Sequence, residues 1–168
     1  MKEKNMARVL FQQEIAPRIC DLWLETTMAA QALPGQFIGL YPENAATLLP
    51  RPISICEVNA EKTALRIVYR IAGQGTAEFS GLKKGDPVDI LGVLGNGFPL
   101  EADLIYACGP MPMLRAVNAA AKTAGQFSFE ERMGCGFGAC MGCTCQTKNG
   151  AKRICKEGPA LEREEIQW

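Results

Sequence analysis

Short runs of apolar and β-branched residues recur along residues 6–99, and turn-forming residues separate them. Runs of this composition predict strands rather than helices. The predicted strands span residues 7–11, 19–25, 36–40, 53–58, 64–69 and 87–91. Breaks such as Pro34-Gly35 end individual runs. This spacing predicts a small antiparallel barrel over residues 1–99, although a β-sandwich has the same periodicity.

The pattern changes after residue 100. Residues 104–107 form a short apolar run, Cys108-Gly109-Pro110 predicts a turn, and residues 111–124 place apolar side chains at helical spacing. A single strand–turn–helix unit cannot cover both faces of a parallel sheet, so residues 100–125 are typical of a fragment of a larger α/β domain. Residues 126–168 have glycines scattered among the cysteines and are predicted to be loop-rich. The predicted fold class is mainly β with a small α/β unit.

Composition excludes several classes of function. The chain has 18 basic and 18 acidic residues, so no basic excess favours nucleic acid. It has no histidine, which excludes a Ser–His–Asp triad, a Cys–His nucleophile pair and a Rieske cluster. No apolar run approaches the roughly 18–20 residues of a membrane span, and the first residues lack the apolar core of a signal peptide. We therefore expect a soluble, cytoplasmic protein.

Four cysteines have the spacing of a metal-binding set. Cys135, Cys140 and Cys143 form a C-x4-C-x2-C motif, and Cys155 follows. This is the spacing of plant-type [2Fe–2S] ferredoxins, in which four thiolates hold two irons. Four glycines between residues 134 and 142 would let the loop wrap closely around the inorganic core, with N–H groups directed at sulfur. The sequence therefore predicts a [2Fe–2S] cluster on these four residues.

Other uses of the cysteines stay open at this point. Four cysteines also hold zinc, but zinc sites favour two close pairs, which a three-plus-one set fits less well. Free thiols are the third possibility. Cys145 lies two positions beyond Cys143, and we expect a spare core cysteine rather than a ligand. Lys152, Arg153 and Lys156 flank the fourth ligand and could offset negative charge, although exposed lysines are usually only solvated.

Three short segments carry features of a nucleotide site. Arg51 begins a β run, where its guanidinium could pair with a pyrophosphate, and the Ser54 hydroxyl could bond the polar edge of a ring system. Tyr69 and Arg70 would add an aromatic face and a second cation near the end of a later strand. Gly75-Thr76 precedes a short helix, whose first N–H groups favour a phosphate. Each feature alone is weak, so the residues do not decide between a nucleotide site and ordinary turns.

Taken together, the motifs resemble those of the electron-transfer subunit of type B dihydroorotate dehydrogenase, in the ferredoxin-reductase-like superfamily. The resemblance runs from about residue 8 to residue 166 and rests on several motifs in the same order. They are Arg51-Pro-Ile-Ser54, the segment from Tyr69 to Thr76, Leu94-Gly-Asn-Gly-Phe98, Tyr106-Ala-Cys-Gly-Pro110, and the cysteine loop ending in Arg153-Ile-Cys-Lys-Glu-Gly-Pro159.

The resemblance implies cofactors, site residues and a partner. In the family the barrel, here residues 1–99, binds FAD, a Rossmann-like domain binds NAD, and the C-terminal segment, here residues 126–168, binds a [2Fe–2S] cluster. The implied FAD contacts are Arg51, Pro52, Ile53, Ser54, Val68, Tyr69, Arg70, Gly75 and Thr76, and the implied cluster ligands are Cys135, Cys140, Cys143 and Cys155. The implied partner is the FMN-containing catalytic subunit of dihydroorotate dehydrogenase, in a heterotetramer of pyrimidine biosynthesis. Electrons would pass from FMN through the cluster to FAD and then to NAD.

One departure from the family concerns the NAD-binding region. In the family most of the nucleotide-binding sheet lies between the motif that ends at Phe98 and the motif that contains Ala107, which here are nine positions apart. An independent domain of that type needs on the order of a hundred residues. The sequence therefore argues against an NAD site and makes residues 100–125 a remnant of that domain. Two alternatives follow: an iron–sulfur module without flavin or NAD activity, and a deletion product, natural or engineered, that folds around a metal without useful turnover.

Overall fold

The computed structural model describes residues 4–44, 47–98 and 104–168. The chain divides into two compact units. The first comprises Met1–Ala32 and Phe37–Leu94, and the second comprises Leu33–Gln36 and Gly95–Trp168. The predicted boundary at residues 99 and 100 lies outside the described residues.

The first unit contains a closed antiparallel barrel, as the sequence predicted. Its strands are β1 (Lys4–Ala16), β2 (Ile19–Glu25), β3 (Phe37–Leu40), β4 (Arg51–Val58), β5 (Ala64–Arg70) and β6 (Pro87–Leu94). Their order is β1-β2-β5-β4-β3-β6, and β6 closes the barrel against β1. Strand β1 is longer than predicted, because the residues from Gln12 to Ala16, which carry little hydrophobic signal, continue the ladder with β2.

Alternation along the strands directs one set of side chains into the barrel core. Fully buried members from the neighbouring strands β2 and β5 are Leu22, Leu24, Leu65 and Ile67. Each such burial contributes about 1.5–3 kcal/mol relative to an exposed side chain. The short helix α1 (Gln74–Phe79) adds Phe79 to this core, where its ring meets that of Tyr69 edge-on. The apolar interior therefore explains why the alternating runs fold into a barrel.

The second unit contains a parallel strand pair connected by a helix. Strands β7 (Ile105–Gly109) and β8 (Gly125–Phe129) are parallel, α2 (Met111–Ala120) joins them, and β11 (Ala160–Glu162) pairs antiparallel to β8. A separate hairpin of β9 (Thr144–Thr147) and β10 (Gly150–Arg153) leads into the short helix α3 (Ile154–Glu157). The predicted strand and helix are present, but the prediction of a turn at Cys108 and Gly109 is wrong, because both residues pair with β8 as part of β7. The sequence analysis did not predict β8, although Gln126 to Phe129 alternate polar and apolar residues; all five residues of the strand are buried.

Helix α2 ends at Ala120, four residues before its predicted end at residue 124. Arg163 donates to the backbone oxygens of Asn118, Ala121 and Thr123, just where the helix stops. The last carbonyls of a helix have no partner within it, and this guanidinium satisfies the carbonyl of Asn118 in the last turn and that of Ala121, which caps the helix. A contact from a distant residue therefore fixes the end of the helix. In the described part of the chain, no helix has the length and apolar character needed to cross a membrane.

Candidate functional site

A hairpin brings Cys155 back to the other predicted ligand cysteines in the second unit. Cys135 and Cys140 lie in the irregular loop before β9, Cys143 immediately precedes β9, and Cys155 lies in α3. Because β9 and β10 pair, the chain that follows β10 returns beside Cys143. The Ile154 N–H donates to the Cys143 carbonyl at 3.1 Å, and the Cys155 N–H donates to the Cys143 sulfur at 3.4 Å. The fold therefore brings together cysteines that are separated in sequence.

The four cysteines lie as two neighbouring pairs. Cys140 lies beside Cys135, and Cys155 lies beside Cys143, whose sulfur accepts from the Cys155 N–H. Among the described residues, no three His, Cys, Asp or Glu side chains converge on a point that could hold a single metal ion. A [2Fe–2S] core does not need such a group, because its two irons share the four thiolates. The two pairs fit this division of ligands.

Backbone N–H groups favour a thiolate at Cys135. Burial alone would raise the pKa of this thiol, but the N–H groups of Cys140, Phe137 and Ala139 point at the sulfur and lower its pKa to about 6. The Ala139 N–H donates to it at 3.3 Å. Burial, and then the hydrogen bond to its neighbouring thiol, raises the pKa of Cys155 to about 12. Thiolates this close repel one another, so a bound cationic centre is needed to hold the whole set deprotonated.

Glycine lets the backbone of this loop approach the sulfurs. A Cβ at Gly134 would lie 3.3 Å from the Cys140 sulfur, and one at Gly142 would lie 3.5 Å from the same atom. Gly138 has φ +89°, and a Cβ there would lie 2.7 Å from the Lys156 side chain. Larger residues would fill the space beside the sulfur and strain the turn. Together with the paired thiols, this bare backbone fits a [2Fe–2S] cluster.

Lys152 and Cys145, which the sequence analysis considered beside the ligand set, form local contacts. Lys152 pairs with Glu165 at 2.6 Å, so part of its charge is offset. Cys145 lies half-buried on β9, and its thiol donates to the Gln146 carbonyl at 3.6 Å. Burial raises the pKa of the Cys145 thiol, which keeps it protonated near neutral pH. These surroundings agree with a spare cysteine at position 145.

Several predicted FAD contacts share the outer surface of two adjacent strands in the first unit. Strands β4 and β5 are antiparallel neighbours. Ile53 and Tyr69 are buried in the barrel, so the residues that alternate with them point outward. The outward residues are Pro52, Ser54, Val68 and Arg70. Because Ser54 and Arg70 are exposed, this surface presents a hydroxyl and a cation to solvent.

Arg51 lies against the turn that begins α1. A Cβ at Gly75 would lie 2.8 Å from the Arg51 Nε, so glycine leaves the space that this guanidinium occupies. The Thr76 hydroxyl accepts from the N–H groups of Ala72 and Gly73 at 2.9 and 3.1 Å, which stabilises the turn. The structure therefore brings together two predicted FAD contacts, Arg51 and Gly75, that are distant in sequence.

Tyr69 differs from its prediction. We predicted an aromatic face for a ring system, but this side chain is 5% exposed and belongs to the barrel core. Its hydroxyl donates to Gln12 at 3.2 Å, and its ring packs edge-on against Phe79 with centroids 6.3 Å apart. Position 69 has the inward phase of β5, whereas Val68 and Arg70 have the outward phase. Its aromatic face is therefore directed into the core.

The sequence analysis missed contacts that hold the segment around Cys155 in place. Asn96, from the Gly-Asn-Gly motif, donates its N–H to the Gly158 carbonyl at 2.7 Å and its side-chain amide to the Glu157 carbonyl at 3.1 Å. The Glu157 carboxylate accepts from Arg153. No local pattern predicts the Asn96 contacts, because 61 positions separate it from Glu157. The i, i+4 spacing of Arg153 and Glu157 was a signal that could have predicted their ion pair.

Solved structures share this fold. The structure of an NADH-dependent reduced ferredoxin-NADP oxidoreductase matches with a TM-score of 0.77 and 18% identity, over 98% of this chain and 90% of that chain. A cytochrome P450 reductase from Amycolatopsis matches with a TM-score of 0.53 and 23% identity, over 66% of this chain and 36% of that chain. At these identities the matches establish the fold, which is ferredoxin-reductase-like.

Sequence comparison adds the C-terminal site. Residues 130–167 match the family model described as the iron–sulfur cluster binding domain of dihydroorotate dehydrogenase B, and this range contains all four predicted ligands. Fold and site together define a ferredoxin-reductase-like protein with an iron–sulfur binding domain. The chain is 30% identical to the dihydroorotate dehydrogenase B (NAD(+)) electron transfer subunit of Bacillus cereus strain B4264, in an alignment that spans 99% of each. It is 28% identical to that of Listeria innocua, spanning 95% of this chain and 97% of the relative. The chain belongs to the family of dihydroorotate dehydrogenase B electron transfer subunits.

These alignments are longer than the chain itself. The alignment with the Bacillus relative has 257 positions and the chain has 168 residues, so at least 89 positions have no residue of this chain. This length approaches that of a small independent domain, about 100 residues. The comparison therefore agrees with the sequence prediction that a segment of domain size is lacking.

Proposed function

We propose that this chain carries single electrons on a [2Fe–2S] cluster held by Cys135, Cys140, Cys143 and Cys155. The observation that carries the proposal is that Cys155, in α3, returns beside Cys143 at the end of the glycine-rich loop of Cys135 and Cys140, where the Ala139 N–H donates to the Cys135 sulfur. When bound, the cluster supplies one-electron redox chemistry. The N–H groups would offset the negative charge that grows on the sulfurs during reduction. Burial of three of the four cysteines would limit the access of water to them.

We propose that the outer surface of the barrel binds FAD. Arg51 and the N–H groups of the turn at Gly75 and Thr76 would bind its phosphates, because a guanidinium pairs with phosphate oxygens and amides at a turn attract anions. The side chains available for the rest of the cofactor are Pro52, Ser54, Val68 and Arg70. Ile53 and Tyr69 would contribute through their backbone, since their side chains lie in the core. This division follows from the alternation of the two strands.

The family suggests the partner. We propose that the chain transfers electrons between its FAD and the FMN-containing catalytic subunit of a dihydroorotate dehydrogenase, in pyrimidine biosynthesis in the cytoplasm. Residues 1–99 would bind the flavin, and residues 126–168 would bind the cluster. Residues 100–125 would be a remnant of a nucleotide-binding domain. A second candidate is an iron–sulfur module without flavin or NAD activity. The 89 or more unmatched alignment positions favour it, because they leave a domain-sized part of the relatives without a counterpart.

An absorption spectrum of the anaerobically purified chain tests these proposals. Flavin bands together with a broad red-brown envelope are expected for an electron carrier with both cofactors. A red-brown envelope without flavin bands would support the module and contradict the FAD proposal. A colourless chain that binds zinc would contradict the cluster proposal, since zinc has no absorption in this range.

A further inference from the structure

The peptide group that joins Gly138 and Ala139 is hydrogen-bonded through both its N–H and its carbonyl. Its N–H, from Ala139, donates to the Cys135 sulfur at 3.3 Å. Its carbonyl, from Gly138, accepts from the Arg153 Nη1 at 2.8 Å. The N–H and C=O of a trans peptide lie in one plane and point in opposite directions, so an interaction that fixes the carbonyl also fixes the N–H. Arg153 therefore controls where this N–H points.

Arg153 is itself held in place by Glu157. The guanidinium Nε donates to both carboxylate oxygens at 3.1 and 3.0 Å, and Nη2 adds a further bond. The same carboxylate accepts the Arg153 backbone N–H at 2.7 Å. A planar guanidinium can bind the carboxylate and the Gly138 carbonyl at once, whereas the ammonium of a lysine cannot reproduce this geometry. The contacts are specific to arginine at this position.

Gly138 also contacts the segment that carries the fourth cysteine. A Cβ added to Gly138 would lie 2.7 Å from the Lys156 Cδ, next to Cys155. The positive φ of Gly138 and this close packing both require glycine. The loop of Cys135 and the segment of Cys155 therefore meet at one residue, and the Arg153 guanidinium binds its carbonyl.

We propose that Arg153 is a positioning residue for the iron–sulfur cluster, which holds the Gly138–Ala139 peptide so that its N–H stays on the Cys135 sulfur. This inference rests on the proposed cluster. Without the guanidinium the peptide is free to rotate, and the N–H···S bond weakens. Such bonds stabilise the reduced, more negative cluster, so both the retention of iron and the reduction potential fall.

The test compares the full chain with Arg153→Gln, Arg153→Lys and Lys152→Gln after identical anaerobic reconstitution. Lys152→Gln is the matched control, because Lys152 is the adjacent cation and its ion-pair partner is Glu165. Iron loss to a chelator and the midpoint potential are measured. Both Arg153 variants are expected to lose iron about tenfold faster than the wild type, the effect of losing one hydrogen bond to a charged group. Both should also have lower potentials, and Lys152→Gln should keep the wild-type rate of iron loss.

If the wild type holds a cluster, two results would overturn the inference. Iron loss and potential in Arg153→Lys could equal those of the wild type, which would show that charge suffices. Lys152→Gln could match the Arg153 variants, which would show that the guanidinium has no special contact.

If the wild type holds no cluster, the proposed function fails, and amide hydrogen exchange over residues 137–141 then tests the contact in the same chains. Faster exchange in Arg153→Lys than in the wild type supports the contact, and equal exchange contradicts it.

Discussion

Cys140 is the exposed member of the proposed ligand set, and Cys145 is a half-buried thiol two positions beyond Cys143. Cys140→Ser replaces one thiolate of the set, so we expect the red-brown absorption to bleach and iron per chain to fall. Cys145→Ser leaves the two sulfur pairs intact, so its spectrum should match that of the wild type. Absorption and iron content after reconstitution measure both. The opposite pair of outcomes would show that the ligand set is wrong.

Tyr69 carries a polar group within the barrel core. Burial raises the pKa of its phenol above the ordinary value of 10.0, so the folded chain keeps this proton at a pH where the unfolded chain loses it. The stability that it contributes is complete below about pH 10 and is lost as the pH rises further. Tyr69→Phe removes the bond to Gln12 and should cost about 1 kcal/mol at neutral pH. It should also flatten the alkaline loss of stability in urea unfolding, and an unchanged alkaline slope would contradict this account.

The candidate residues were predictable where chemistry depends on spacing. The C-x4-C-x2-C motif with Cys155 indicates four thiolates without any knowledge of the fold. The groups that surround the sulfurs were not predictable, because backbone N–H groups leave no trace in the sequence. Tyr69 was misjudged for a related reason: its chemistry suggested a ligand contact, while its phase along the strand decided its burial.

At the scale of elements, the start of β4 and the turn before α1 form the proposed phosphate end of the flavin site. Arg51→Ala removes the cation that lies against Gly75, and we expect about a tenfold loss of FAD affinity. Flavin per chain after dialysis measures it, with iron per chain as a check on folding. Arg8→Ala is the matched control, since Arg8 is an exposed arginine of the same unit that binds the Gly85 carbonyl. Unchanged flavin content in Arg51→Ala would contradict the assignment.

Elements were predictable where one face is buried and the other is solvated. Short apolar and β-branched runs between turn signals then mark the strand, as they do for β2 and β5. Strand β8 is short and begins at Gly125, so its brief alternation from Gln126 to Phe129 was overlooked within a segment rich in glycine and cysteine. The end of α2 depends on Arg163, which is 40 positions from the Thr123 carbonyl that it binds. Such distant contacts decide boundaries that local sequence cannot.

At the scale of the whole molecule, the alignment positions that have no residue of this chain lead to a prediction about reduction by NADH. Because at least 89 positions of the Bacillus relative's alignment have no residue here, we expect NADH to reduce neither the flavin nor the cluster quickly. Rapid-mixing absorption measures this, and dithionite is the control that should reduce both centres. Fast bleaching by NADH would show that residues 100–125 retain a working nucleotide site.

The central claim is that four cysteine sulfurs hold a two-iron cluster, and the most direct test is the iron, sulfide and flavin content per chain after anaerobic reconstitution. The account predicts about two irons and about two sulfides per chain. It also predicts one flavin. A chain that stays colourless and free of iron under these conditions would contradict it.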